Sequence, residues 1–451
     1  MSTKTSSRAV GSPAKVATAS LIGTTIEYYD FFIYGTAAAL VFPKLFFPEA
    51  SPLMGSLLAF ATFGVGFLAR PLGGVVFGHF GDRVGRKKML VISLVGMGAA
   101  TFLMGILPGY AQIGIAAPIL LTVLRLFQGF MVGGEWGGAT LMAVEHAPLG
   151  RRGFFGAFPQ MGAPAGTSLA TVAFLITAQL PDAQFLAWGW RIPFLISSLL
   201  VVVGLVIRLT IAESPAFAAA REKQELVRLP IAAAFRRHPK EIFLVAGTYL
   251  SQGVFAYITM SYLVSYATTV VKIDRPSVLL SVFAAGIVAV ILYPIFGSLS
   301  DRIGRKTVYF IGAAAMGVTI WPAFLLINTG SAFNFLIAVV LVFGIAMAPA
   351  AGVTGSLFAL VFSREVRYTG ASVGYTISQI LGSAFAPLIA TALLAATGTS
   401  NSIVLYMVAA SVISVISVAL LPGGWGKREA QRQIEHATEE DDALRGAAAG
   451  A

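Results

Sequence analysis

Long apolar runs, each separated from the next by a short polar or basic cluster, fill the chain from residue 17 to residue 421. The runs are 17–42, 54–80, 88–107, 115–144, 152–178, 190–211, 241–271, 276–299, 306–328, 332–361, 367–396 and 400–421. Most are long enough to cross about 30 Å of hydrocarbon as a helix rising 1.5 Å per residue. The basic residues orient them. With the N-terminus inside, 25 of the 31 Lys and Arg fall on the inner side. Lys44, Arg191, Lys272 and Arg275 fall on the outer side, and Arg70 and Arg125 lie within runs. Lys and Arg accumulate in cytoplasmic segments. The expected fold is therefore an all-α polytopic membrane protein with twelve transmembrane helices and cytoplasmic N- and C-termini. Transmembrane β-strands would alternate over about ten residues, and no such pattern is seen.

Charged residues make up 11% of the sequence and hydrophobic residues 57%, with mean hydropathy +0.82. Soluble domains carry about 25% charged residues. The net charge of +11 is accounted for by topology and does not call for nucleic acid. With no cysteine, disulfides, thiol catalysis and thiolate metal sites are excluded. His79, His146, His238 and His436 lie at or beyond span ends, without metal-ligand spacing. No cofactor or metal is expected. Residues 1–16 lack the apolar region of a signal peptide, so no cleavage is expected.

"GHFGDRVGRKKML" at 78–90 and "GSLSDRIGRKTVY" at 297–309 share the pattern G-x-x-x-D-R-x-G-R-K, offset by 219 residues. Each lies between two spans on the inner side, at equivalent places in two halves. The expected organisation is a tail at 1–16, a six-helix half at 17–211, a linker at 212–240, a second half at 241–421 and a polar, disordered tail at 422–451. Internal repeats of this kind mark secondary transporters, whose substrate binds near the midplane between them. Glycine allows close approach and tight turns, and an acid near a helix end accepts hydrogen bonds or pairs with a neighbouring guanidinium. Gly78, Asp82, Arg83, Gly85 and Arg86, with Gly297, Asp301, Arg302, Gly304 and Arg305, are read as a gate at the inner ends.

Few ionisable groups lie deep in the spans: Glu27, Asp30, Glu135, Arg70 and Arg125. By helix rise, Asp30 lies about 18 Å and Arg125 about 15 Å below the outer end. Three acids face two guanidiniums that do not deprotonate. A carboxyl left over in a site that excludes water takes up a proton. Asp30, Glu27 and Glu135, with Arg125, are thus candidates for proton coupling. Arg125 also suits a substrate carboxylate. Tyr28, Tyr34, Gln128, Gln160, Tyr249, Gln252, Tyr257, Tyr375 and Gln379 are candidates for hydrogen bonds to a small polar ligand. Pro159 and Pro164 suggest a kinked, glycine-lined fifth span. No charge ring or filter suggests a channel, and no nucleophile–base pair suggests an enzyme.

The repeated loop resembles the signature of the major facilitator superfamily. "EYYDFFIYG", "ARPLGG", "RLFQGFMVGGEWGGA", "ESPAF" and "VRYTGASVGY" make the chain similar to the metabolite:proton symporter family over nearly its whole length. The resemblance implies the major facilitator fold in a bacterial cytoplasmic membrane, most simply as a monomer, with protons and a small organic acid as partners. "TAAALVFPKLFFP" looks most like the shikimate and dicarboxylate branch; a zwitterion such as proline or betaine is the alternative. By resemblance to proton-coupled sugar carriers, Asp30 and Arg125 form the coupling pair. Glu145 and Arg152 likewise join the gate, although the second half has no acid aligned with Glu145.

Overall fold

The computed structural model describes residues 13–84, 86–133, 140, 143–144, 147–148, 150–210, 235–362 and 367–422. All regular structure among them is helical. The first long helices are α1 (Pro13–Leu40), α2 (Pro52–Val84), α3 (Arg86–Ile106), α4 (Ala116–Val132), α5 (Arg152–Thr177) and α6 (Arg191–Thr210). Then follow α7 (Pro239–Val271), α8 (Arg275–Ile303), α9 (Arg305–Ile327), α10 (Ala332–Phe358), α11 (Thr369–Thr397) and α12 (Asn401–Leu420). Eight helices among the described residues are long and apolar enough to cross a membrane. Their outward faces carry large apolar side chains, such as Leu72, Leu199 and Val318, as a lipid-facing surface requires.

Local chemistry explains several of the ends. Asp274 caps α8 by accepting from the Ser277 amide, and Ser331 caps α10 by accepting from the Asn334 amide. Gly304 turns the chain from α8 to α9 at φ 96°, a conformation that favours glycine and explains its place in the repeated motif. Arg191, one of the few outer basic residues, donates to the Gly105 and Leu107 carbonyls at the end of α3. Lys306 does the same for the Ala419 and Leu421 carbonyls of α12.

Packing repeats with the sequence. α1 packs on α5, α2 on α4 and α3 on α6; α7 packs on α11, α8 on α10 and α9 on α12. The two sets meet where α5 lies along α8 and α10, where α1 meets α7, and where α2 meets α11.

Two features differ from an uninterrupted-helix reading. In the span expected at 115–144 the helix runs to Val132, Gly133 leaves it at ψ 118°, and the described residues 140 and 143–144 are helical again. There α4 lies against the α2 backbone: a Cβ on Gly133 would come 2.2 Å from the Arg70 carbonyl oxygen. Wide π turns also interrupt the second set, at Ile258–Tyr262 and Ala267–Val271 in α7, Val340–Ala346 in α10 and Gln379–Ala384 in α11. Such turns cluster at functional places.

The α2–α4 contact is closest at Gly129, whose added Cβ would lie 1.8 Å from the Gly66 carbonyl oxygen. Gly129→Ala must push the two helices apart. It is expected to cost about 1–3 kcal/mol, read as a lower midpoint of thermal unfolding in detergent, whereas the same change at Gly23, which has open space beside it, should leave the midpoint in place.

Candidate functional site

Asp30 is fully buried in α1 and points toward α3 and α6. Ser197 of α6 donates to its Oδ1 at 2.5 Å, and Thr101 of α3 donates to its Oδ2 at 3.0 Å. Thr101 Oγ1 accepts from Gln128 Nε2 at 2.8 Å, and Gln128 Oε1 accepts from Arg125 Nη1 at 2.5 Å. All five side chains are completely buried. They form one line: Arg125, Gln128, Thr101, Asp30, Ser197.

The two residues expected to pair are linked only indirectly. Asp30 and Arg125 are brought into one network, but no ion pair joins them; two neutral side chains lie between. The physical reason is the direction each side chain takes. The carboxylate is satisfied by hydroxyls from α3 and α6, while the guanidinium lies over the rings of Tyr34 at 4.2 Å, Phe31 at 4.3 Å and Phe63 at 5.0 Å. Its Nε donates to the Phe63 carbonyl at 3.4 Å, and its Nη2 has no hydrogen-bond partner among the described residues. Arg70 also lies over Phe31, at 4.2 Å, and over Phe67 at 4.7 Å. Cations over aromatic faces gain roughly 0.5–2 kcal/mol, more when desolvated. Thr101, Ser197, Phe31 and Phe63 were not singled out from the sequence.

Glu27 is buried one turn before Asp30, and its charge acts on Tyr28, Asp30 and Tyr257. Glu135, Glu145 and Gly85 lie outside the described residues. Of Gly78, Asp82, Arg83 and Arg86, only the helical backbone is described.

The polar aromatic candidates divide into two groups. Tyr28 and Tyr375 meet hydroxyl to hydroxyl at 2.9 Å, joining α1 to α11. Gln379 Nε2 donates to the Tyr375 hydroxyl at 2.5 Å, and the Tyr249 ring meets the Tyr375 ring edge-on at 4.8 Å. The Tyr257 ring stacks on Phe32 at 5.6 Å. Of these candidates, the Tyr257 hydroxyl, Gln379 Oε1 and Gln160 Nε2 are buried without a hydrogen-bond partner among the described residues. The remaining three hold neighbouring helices: Tyr34 donates to Thr62, Gln252 accepts from Thr354, and Gln128 serves the line above.

At the basic end, Asp301 reaches across to the start of α5. Its Oδ1 accepts from the Gly153 amide at 2.8 Å, and its Oδ2 accepts from the Phe154 amide at 3.1 Å. Arg305 donates to the same carboxylate at 3.2 Å. A Cβ on Gly297 would come 2.6 Å from the Gly153 carbonyl oxygen, so glycine permits this approach. Arg152 is partly buried beside it, and Arg302 faces outward. At the opposite end Arg275 pairs with Asp182 and lies over Phe185 at 4.2 Å.

Comparison with known proteins places these features. Residues 15–229 match the family described as sugar (and other) transporter, and residues 245–445 match the major facilitator superfamily. The inner membrane metabolite transport protein YhjE of Escherichia coli K12 is 40% identical over 420 residues, covering 91% of this chain and 94% of that protein. The shikimate transporter of the same organism is 40% identical over 411 residues, covering 90% and 94%. Its proline/betaine transporter is 34% identical over 438 residues, covering 95% and 86%. The crystal structure of a D-xylose-proton symporter superposes with TM-score 0.70 at 17% identity, over 92% of this chain and 98% of that one.

Proposed function

The chain belongs to the major facilitator superfamily, in its metabolite:proton symporter family, and from that premise we propose that it imports a small polar organic acid together with protons by alternating access. It is a transporter of the bacterial inner membrane and not an enzyme. We read it as twelve spans with both termini cytoplasmic, in halves 17–211 and 241–421 joined by 212–240, with tails at 1–16 and 422–451.

The observation that carries the reading is the buried line from Arg125 to Asp30. Hydroxyls hold the carboxylate and no cation among the described residues lies within ion-pair distance of it, so it gains or loses a proton without dismantling an ion pair. Arg125 keeps its Nη2 available for a ligand carboxylate. Identity to the shikimate transporter supports an acid of the shikimate, dicarboxylate or α-ketoglutarate class. Gln379 Oε1 and the Tyr257 hydroxyl suit the hydroxyls of such a ligand. Identity to the proline/betaine transporter supports a zwitterion as the second reading, although betaine has no donor to offer Gln379 Oε1.

The deciding assay uses vesicles that are acidic outside and a panel of shikimate, succinate, α-ketoglutarate, citrate, proline and glycine betaine. Accumulation of an acid above equilibrium, abolished by a protonophore, is the expected result. Accumulation of proline or betaine alone selects the second reading, and flux that only dissipates gradients rejects symport.

The gate yields its own prediction. Asp301 on the α5 amides is read as the contact that holds the inner ends together, at about 1.5–3 kcal/mol for hydrogen bonds to a charged group. Because the chain has no cysteine, Ser356→Cys supplies a single buried reporter near this end. Adding Asp301→Asn should speed its labelling by a thiol reagent from the cytoplasmic side about tenfold. An unchanged rate would remove Asp301 from the gate.

A further inference from the structure

Thr101 has a geometry that the transport reading does not by itself require. Its hydroxyl has one hydrogen and two acceptors in reach: Asp30 Oδ2 at 3.0 Å and its own helix's Met97 carbonyl at 3.0 Å. The same oxygen accepts from Gln128, which in turn accepts from Arg125. A hydroxyl donates one bond at a time and accepts two. We propose that Thr101 is a positioning residue that reports the protonation of Asp30 to Arg125.

With Asp30 ionised, every hydrogen in the line points at the carboxylate: Arg125 to Gln128, Gln128 to Thr101, Thr101 to Asp30. Bonds aligned in this way polarise and strengthen one another. When a proton arrives on Oδ2, that oxygen becomes a donor. The Thr101 hydrogen then turns to the Met97 carbonyl, and Thr101 Oγ1 receives the new Asp30 O–H beside the Gln128 N–H. No covalent bond in Thr101 breaks, and the proton gained by Asp30 is the transported one. The Gln128 bond now competes for a shared oxygen, so its hold on Arg125 loosens and the guanidinium turns more readily to a ligand carboxylate. Proton first, substrate second is the order this favours.

The surroundings leave few other groups for the task. The charged groups acting on Asp30 are Arg125 from α4 and Glu27 from its own helix, while α3 and α6 present hydroxyls. Tyr29, adjacent in the chain, turns its own hydroxyl to the Pro193 carbonyl. Several other described threonines in the spans donate only to their own helix, as Thr122 does to Pro118 and Thr171 to Thr167, while Thr354 reaches both its own Ala350 carbonyl and the Gln252 amide of α7. Thr101 is distinguished by meeting a carboxylate, whose donor and acceptor character changes with a proton.

The test compares Thr101→Val, which keeps shape without the hydroxyl, with Thr101→Ser, which keeps the hydroxyl. It rests on the symport reading, so Asp30→Asn runs beside it. Radiolabelled shikimate is the probe, replaced by α-ketoglutarate if the parent does not carry shikimate. In the parent, KM is expected to fall as the outside is made acidic. In Thr101→Val this dependence should flatten to less than about twofold across pH 5.5–8, and the serine variant should restore the slope. A parent-like slope in Thr101→Val overturns the proposal, and so does loss of all transport in both variants. If Asp30→Asn still concentrates the probe on a pH gradient, the coupled proton is not on Asp30 and the Thr101 proposal falls while symport stands; if the parent itself fails to concentrate any probe on the gradient, the symport reading fails.

Discussion

Asp30→Asn should exchange labelled substrate across vesicles at near-parental rates and fail to concentrate it. Asparagine keeps the size and one acceptor of the aspartate and resembles its protonated form, so Ser197 and Thr101 retain a partner. What is lost is the change of charge. One pH unit is worth about 1.4 kcal/mol per proton, or tenfold accumulation at one proton per substrate. The parent is therefore expected to reach about tenfold on a gradient of one unit, and Asp30→Asn about onefold. The sign matters: accumulation inside requires the acidic side outside, and reversing the gradient should empty parental vesicles while leaving the variant indifferent. Glu27→Gln separates the two acids on the same helix face, because only the carboxyl that carries the coupled proton abolishes accumulation while sparing exchange.

Arg125→Lys should lower exchange and accumulation together. Lysine keeps the charge but not the planar fork. The guanidinium meets Gln128, the Phe63 carbonyl and three aromatic faces at once, with Nη2 left over. An ammonium replaces one of these contacts well and abandons the others. A loss of about 2 kcal/mol corresponds to roughly thirtyfold in kcat/KM. Arg125→Gln, which removes the buried charge as well, should lose more. If the lysine variant transports like the parent, planar recognition plays no part. If both variants bind normally but lose only pH dependence, Arg125 belongs to proton coupling alone.

The sequence made the scaffold legible because membranes enforce simple rules. Apolar length and the placement of basic clusters located the helices to within a few residues, apart from the break at Gly133 inside the fourth span. The repeated motif marked Asp301 as an acid near a helix end, but its hold on the α5 amides was not readable there. The interior was harder to read. Thr101 and Ser197 look like the many span hydroxyls that bond back to their own helix, as Thr25 does to Leu21. Only the packing of α3 and α6 against α1 turns them toward a carboxylate. Gln128 reads as a ligand group because an amide in hydrocarbon needs partners, yet those partners are Arg125 and Thr101. Phe31 was passed over because phenylalanine in a span is ordinary; two guanidiniums above its ring are not. The π turns have no composition signal at all, since they arise where helices must fit against one another.

The grip of Asp301 on α5 has a consequence for how such a protein changes over generations. One side of that grip is a side chain; the other is main-chain amide, common to every amino acid but proline. Drift at residue 154 therefore leaves the hydrogen bond in place, and residue 153 is restrained by crowding and not by chemistry. A single codon for the acid holds what would otherwise take two to preserve.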